Sequence, residues 1–499
     1  MRSPACLWVL VVLGVVVRPA AGHADERAAA RRFAAALGDE PALVAFLRAF
    51  PKGADLHSHL GGAVYAEDVL RHALHRRLHF DPLTNLFATK PSARTVPAAR
   101  LLEVDRLRYQ FLDAASMRGT RPGPAGGHDH FFESFTPAGS ARRGVPPEEL
   151  LATVLRRARL QQVQYLEIMA PVGGAALDRL TAAAAAGVPP AQLLARLQPS
   201  IDAYVTAARA DLDRWDVALQ QALGLSAPPT TVGGPITVRY LVTAYRVAPP
   251  EHVFATFAAA FALMRVDRRV VGANLAAPED HPVALDNFDR HLRDLDFLWR
   301  RGGEPSVTLH AGELNLHLAP LEHLTHHIRR SIEVGHARRI GHGASVGWED
   351  DLPGLLRLMR TRRVAVEVCP SSSLTILGLS GERHPFRVYR RAGVPLTLNT
   401  DDEGVSRSNL TLEYLHAVRA FRLSYADLKE LSRNGLEHSF LPGESLFVGG
   451  DYRRVRKGFE QLRARGWRPT PEEQRALGRS ERATVQARLE RALWEFERQ

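Results

Sequence analysis

Only two cysteines occur among 499 residues, and the first, Cys6, falls in a segment that reads as a removable export signal. Its removal would leave Cys369 alone, so an oxidising exterior would impose no internal disulfide and stability must come from packing and bound metal. Long apolar runs are equally scarce. The stretch from Leu7 to Val17 is shorter than the roughly 20 residues needed to span a bilayer. With Arg2 before it and Gly22-His23-Ala24 after it, residues 1–24 are expected to be a signal peptide cleaved before Asp25 rather than a retained transmembrane segment. Export to the periplasm or the exterior is the matching expectation. Aromatic residues are only 7% of the chain, and no basic tract interleaves with them. The net charge of +11 is spread over interspersed acids and bases, which excludes a specific nucleic-acid role. No internal repeat, sustained heptad or phosphate-cradling glycine loop occurs, so neither a binding array nor an oligomeric state is specified.

A hydrophobic content of 45% over this length can bury a large core. Eight short apolar runs read as strands: 54–59, 165–170, 238–246, 270–276, 306–310, 339–342, 364–369 and 395–399. Helical periodicity fills most of the intervals, as around 151–164 and 252–264. The alternation predicts an α/β fold, a TIM-type (β/α)8 barrel, over 51–442. A helical segment at 25–50 precedes it, broken by Pro51-Lys52-Gly53. An insertion at 85–150 interrupts the regular alternation, and a charged, helical extension is expected over 443–499. Within the insertion, His128 to Phe135 reads as a lid over a cleft, or as a loop whose histidines make ordinary hydrogen bonds. Arg479-Ser480-Glu481-Arg482 reads as solvated helix surface.

The chemistry gathers at strand ends. In Leu56-His57-Ser58-His59-Leu60 the two imidazoles stand at i and i+2, so a strand would point both toward one ligand. His310 and Asp401, at the ends of other runs, would complete a site of three histidines and one aspartate. Zinc suits that set, although iron or cobalt is not excluded by the ligands alone. Glu313, one turn beyond His310 in His310-Ala311-Gly312-Glu313, is placed to shuttle a proton; the plainer reading is a solvated loop carboxylate. His342, between Gly341 and Gly343, could take a proton from metal-bound solvent, or be a buried hydrogen-bonded histidine. Asp402 need not ligate the metal and could contact a ring nitrogen of a substrate, or be structural.

Taken together, these motifs resemble the adenosine deaminase family, especially its secreted, growth-factor-like or longer bacterial branch. Pro51 to Leu60 is similar to the opening metal motif, 310–313 to the central one, 339–343 to the later histidine motif and Leu398-Asn399-Thr400-Asp401-Asp402 to the last. Cys369 to Ser373 and Ser439 to Pro442 also look like family segments. The resemblance implies one Zn2+ per chain held by His57, His59, His310 and Asp401. It implies Glu313 as proton donor to purine N1, His342 as activator of the water, and Asp402 on purine N7. The reaction it implies is hydrolytic deamination of adenosine or deoxyadenosine to inosine or deoxyinosine plus ammonia. Deaminases built on cysteine-ligated zinc are a different case, since the cysteines they need are missing here.

Two departures stand out. Gly61 occupies the position where common members carry a ribose-contacting aspartate, so that side-chain contact is gone. Ala277 stands where glycine normally offers its backbone N–H to purine N3; the donor survives, but its methyl group restricts the loop. The basic composition makes an adenosine phosphate conceivable as substrate, but charge alone locates no phosphate pocket. Two other readings compete with the deaminase: an exported amidohydrolase acting on another aminated ring or amide, and an extracellular adenosine-binding signalling protein.

Overall fold

The computed structural model describes residues 21–499. Eight strands form one parallel sheet: β1 (Lys52–His59), β2 (Val163–Met169), β3 (Thr237–Tyr245), β4 (Val270–Ala276), β5 (Val307–Ala311), β6 (Arg339–His342), β7 (Ala365–Val368) and β8 (Leu396–Leu398). They are hydrogen-bonded in sequence order from β1 to β8. Just past β8 the chain meets β1 again: Asp401 N–H donates to the His57 carbonyl at 2.8 Å, and His59 N–H to the Asp401 carbonyl at 3.0 Å. These bonds close the sheet into the expected barrel. Every residue of β2 and β4 is buried. That is why they read as largely apolar runs with a few buried polar residues rather than as alternating ones, since helices cover the outer face and side chains fill the inner.

Proline at the first helical turn starts several of the covering helices, including Pro250–Met264 and Pro282–Arg301, which follow β3 and β4. At the amino-terminal mouth of the barrel, Lys52 is fully buried and donates to the carbonyls of Leu47, Phe50 and Gln161 at 2.6, 3.1 and 2.8 Å. Burial pulls its pKa down to about 7. Lys52 is therefore a fold-associated group at the end remote from the candidate site.

The segment at 25–50 folds as two helices, Ala21–Ala36 and Glu40–Ala49, split where the Asp39 carboxylate accepts the Ala42 N–H. Of the expected leader, 1–24, residues 1–20 lie outside the described residues. A three-stranded antiparallel sheet of His79–Asp81, Leu86–Ala88 and Val96–Pro97, which begins before the insertion and runs into it, was not anticipated; strands this short carry no periodic signal. The helices Gly127–Glu133 and Phe135–Arg142 then return to the barrel mouth, where Phe131 packs with Ile376 and Val405.

The tail corrects one expectation. It is helical over Pro471–Gly478 and Glu481–Glu497, whereas residues 451–470 contain no helix. Arg479 to Arg482 is a junction rather than a solvated helix face: Ser480 caps the last helix, and Arg482 donates to the Leu441 carbonyl at 3.0 Å. Among the described residues, no helix is long and apolar enough to cross a membrane.

Candidate metal centre and active site

The carboxyl ends of β1, β5, β6 and β8 bring His57, His59, His310, His342 and Asp401 together, although up to 344 positions separate them in the chain. His59 Nε2 lies 3.2 Å from His310 Nε2 and 3.3 Å from Asp401 Oδ1, and His57 Nε2 lies 3.3 Å from the same oxygen. Donors about 2.0–2.1 Å from a tetrahedral ion stand about 3.3–3.4 Å apart, so these spacings fit a zinc-sized centre. His342 also has a ring nitrogen within 4.8 Å of donors from His57, His310 and Asp401. His57 Nε2 is buried and has no hydrogen-bond partner among the described residues, a costly arrangement that a bound cation would relieve.

Groups behind these side chains orient them. His57 Nδ1 donates to Glu367 Oε2 at 2.7 Å and His310 Nδ1 to Asn274 Oδ1 at 3.1 Å, so both rings turn a lone pair on Nε2 toward the centre. The Ser372 hydroxyl donates to Asp401 Oδ2 at 2.7 Å, leaving Oδ1 to face the histidines. Glu367 also accepts from the Thr308 hydroxyl at 2.9 Å and pairs with the fully buried Arg339, whose Nη2 reaches Glu167 at 2.6 Å. Burial works against the charged His57 ring, yet Asp401 and Glu367 together raise its pKa to about 10. The two carboxylates call for positive charge between them. Burial holds His59 and His342 down at about 4 and depresses His310 as well, so these three rings are neutral donors.

Glu313 sits beside this cluster, its Oε1 3.4 Å from His342 Nδ1. Burial first, and the Asp401 charge second, push its pKa well above the ordinary carboxylate range, so it is held as the neutral acid. Its backbone is pinned from below: Glu279 accepts the N–H groups of Gly312 and Glu313 at 3.1 and 2.8 Å, and the His327 Nδ1–H at 2.6 Å. Asp402 is likewise raised by burial and by Asp401. Glu313 Oε1, His342 Nδ1 and Asp402 Oδ1 are all buried without a partner among the described residues. Three such atoms facing one space mark where a ligand would supply the missing bonds.

That space is a cavity of about 740 Å³ at the carboxyl face of the barrel. The histidine–aspartate cluster, Glu313 and Asp402 form its floor, and Phe131, Phe132 and Phe135 of the returning helices form a wall. The His128 ring joins this wall to the loop after β4, bonding Asp280 at 3.2 Å. Ala277 lines the cavity with φ at +85°, a left-handed conformation that costs a residue with a Cβ about 1–2 kcal/mol. His342 and Asp401 are also left-handed, at +65° and +56°. Strain of this kind concentrates where side chains must be aimed at a ligand. Gly341 is needed for close approach, since a Cβ there would lie 2.8 Å from His57 Cε1.

Sequence reading missed several contributors. Glu367 and Arg339 are charged residues inside otherwise apolar strands, and that mismatch was their available signal. Asn274 in β4 carried the same signal more weakly. Glu279 lies in a loop, where polar residues are ordinary, and Ser372 near a helix start, where its place in the family-like segment Cys369 to Ser373 was the available signal.

Comparison with known proteins is consistent with this geometry. The adenosine deaminase family model matches residues 198–446. Adenosine deaminase of Mycobacterium tuberculosis (strain H37Rv) is 31% identical over 220 residues, covering 42% of this chain and 55% of that protein. The adenosine deaminase of Mycobacterium sp. (strain KMS) is 32% identical over 224 residues, covering 42% and 56%. The match thus spans just over half the length of these curated relatives. Among solved structures, the apo N6-methyl-AMP deaminase of Arabidopsis thaliana aligns with a TM-score of 0.52 at 20% identity, covering 80% of this chain and 94% of that one. Adenine deaminase of Arthrobacter aurescens aligns at 0.50 and 17% identity, covering 79% and 94%. Those two share the fold. The fold, the matched segment and the clustered strand-end histidines agree, and residues 198–446 are similar to the adenosine deaminase family.

Proposed function

We propose that this protein is a zinc-dependent hydrolase that removes the 6-amino group of a purine nucleoside, with adenosine or deoxyadenosine as the simplest substrates and inosine or deoxyinosine plus ammonia as products. The observation that carries the reading is the meeting of a neutral, buried carboxylic acid with a neutral imidazole beside the cluster of His57, His59, His310 and Asp401. His57, His59, His310 and Asp401 would hold one zinc ion. When bound there, zinc supplies a water that ionises near neutral pH.

The residues then divide the proton traffic. Glu313, kept protonated, donates to N1 of the ring, which makes C6 electron-poor. His342, kept neutral, accepts a proton from the attacking water and can return one to the departing amine. Asp402, also kept protonated, donates to N7, and the Ala277 N–H faces N3. Each contact strengthens as the flat ring becomes tetrahedral at C6, which is the condition for rate acceleration. Supporting the finer assignments are the leader-like residues 1–24 and the long insertion, which favour an exported member of the growth-factor-like or longer bacterial branch.

The test is a product assay on zinc-loaded protein, following inosine and ammonia together, beside Glu313→Gln and His342→Ala. Equal amounts of both products from the wild type, reduced roughly 10²- to 10⁴-fold in either variant, are expected. Folded, metal-loaded protein that releases no ammonia from any 6-aminopurine would overturn the reading.

A further inference from the structure

The helix Phe135–Arg142 ends at the cavity wall on two adjacent arginines, Arg142 and Arg143. Arg142 is half-buried, and its Nη1 donates to the Gly61 carbonyl. Its Nε and Nη2 meet no protein acceptor among the described residues. The acid it feels most is Asp402, which lies beyond ion-pair distance. Arg143 is exposed and forms no side-chain bond there. Gly61 makes this arrangement possible: a Cβ at that position would lie 3.3 Å from Arg142 Nη2, so the guanidinium occupies the ground a side chain at 61 would claim. Asp178, exposed, is the opposing charge on the same rim.

The unpaired Arg142 donors face the cavity, where a ligand that supplies acceptors would gain charge-assisted hydrogen bonds. The spare Nε and Nη2 form a planar fork, which matches two oxygens of one phosphate far better than scattered sugar hydroxyls. The cavity floor binds the base end of a substrate, so a group reaching Arg142 belongs to the sugar end. Tyr245, at the end of β3, lies in the same wall and is 59% exposed, leaving room for that end of the ligand. We propose that Arg142, with Arg143 outside it, binds a phosphate on the ribose, so that the substrate class is a purine nucleoside monophosphate. This inference rests on the deaminase reading for the identity of the base, and on the guanidinium for the anion. The chain's net charge of +11 would draw such an anion to the cavity.

The experiment measures binding of inosine, inosine 5′-monophosphate and inosine 3′-monophosphate to the zinc-loaded protein by calorimetry, which needs no turnover. Alongside it, kcat/KM is compared for adenosine and its monophosphates. One monophosphate is expected to bind roughly ten- to hundredfold more tightly than inosine, with a matching preference in kcat/KM. The 5′ and 3′ forms distinguish where the phosphate sits. In Arg142→Gln that ratio should fall to within about threefold of unity, with partial recovery in Arg142→Lys, which keeps the charge and loses the fork. Gly61→Asp, which sets a carboxylate against the guanidinium, should lower the ratio without removing the arginine. Equal binding of inosine and both monophosphates by the wild type, or a preference unchanged in both Arg142→Gln and Gly61→Asp, would overturn the proposal. Selective binding of a monophosphate without ammonia from any 6-aminopurine would sink the deaminase reading and leave the anion site standing.

Discussion

His57 donates its Nδ1 proton to Glu367 at 2.7 Å, and this single bond decides that Nε2 faces Asp401, 3.3 Å away on the far side of the ring. Glu367 also anchors Arg339, which in turn reaches Glu167. The metal centre therefore rests on a buried ionic lattice running through β2, β6 and β7. Glu367→Gln should weaken zinc binding by about 10- to 100-fold, as loss of such an orienting carboxylate does. Competition against a chromogenic chelator measures it; unchanged affinity in a folded variant would show that Glu367 serves stability alone.

Stripping the metal should abolish ammonia release and lower stability together. The Asp401 and Glu367 carboxylates face one another across His57, and without a cation they depend on a proton for compensation. Zinc at 100 times its dissociation constant should stabilise the native state by about 2.7 kcal/mol. Denaturant unfolding of the apoprotein with and without zinc reads this directly, and a zinc-independent midpoint would contradict the ligand assignment.

Gly62 and Ala277 predict opposite responses. A Cβ at residue 62 would fall 1.8 Å from Asp402 Oδ1, so Gly62→Ala must displace that carboxylate and should reduce kcat/KM by at least about tenfold, chiefly by misplacing the base. Ala277→Gly removes a left-handed Cβ costing about 1–2 kcal/mol, less the roughly 0.5–1 kcal/mol by which glycine favours the unfolded chain. Its net effect should be a small gain in stability with activity retained. Parallel kinetics and denaturant unfolding check both, and a harmless Gly62→Ala would remove Asp402 from substrate contact.

His128 predicts a pH-dependent lid. Burial disfavours its charge, but Asp280 and the largely exposed Asp129 outweigh that and raise its pKa above the ordinary histidine value. The latch to Asp280 is therefore complete below the ordinary value and lost as pH rises through the raised one. KM should climb over that window by roughly two- to fivefold, the scale of one partly exposed ion pair. In His128→Gln that rise should disappear while kcat keeps its own pH profile. An identical KM profile in the variant would rule the latch out.

Much of this was legible in the sequence, for physical reasons that differ by residue. The eight strands stood out because a parallel sheet covered on both faces demands largely apolar runs between breaks. The clustered donor residues stood out because β1 places His57 and His59 two residues apart on one strand and because polar motifs close the other runs. Glu367 was hidden because its partners, His57 and Arg339, lie 310 and 28 positions away, a distance that only the closed barrel cancels. The short antiparallel sheet at 79–97 was hidden because two or three residues carry no period. Arg142 was one of many arginines until the fold set it against Gly61.

The decisive measurement is a zinc titration of the apoprotein, reading ammonia release from adenosine and its monophosphates. No release from the apoprotein, then a linear rise that levels at one zinc per chain, is the predicted result. Full activity without metal, or no ammonia from folded protein at any loading, would contradict metal-dependent deamination.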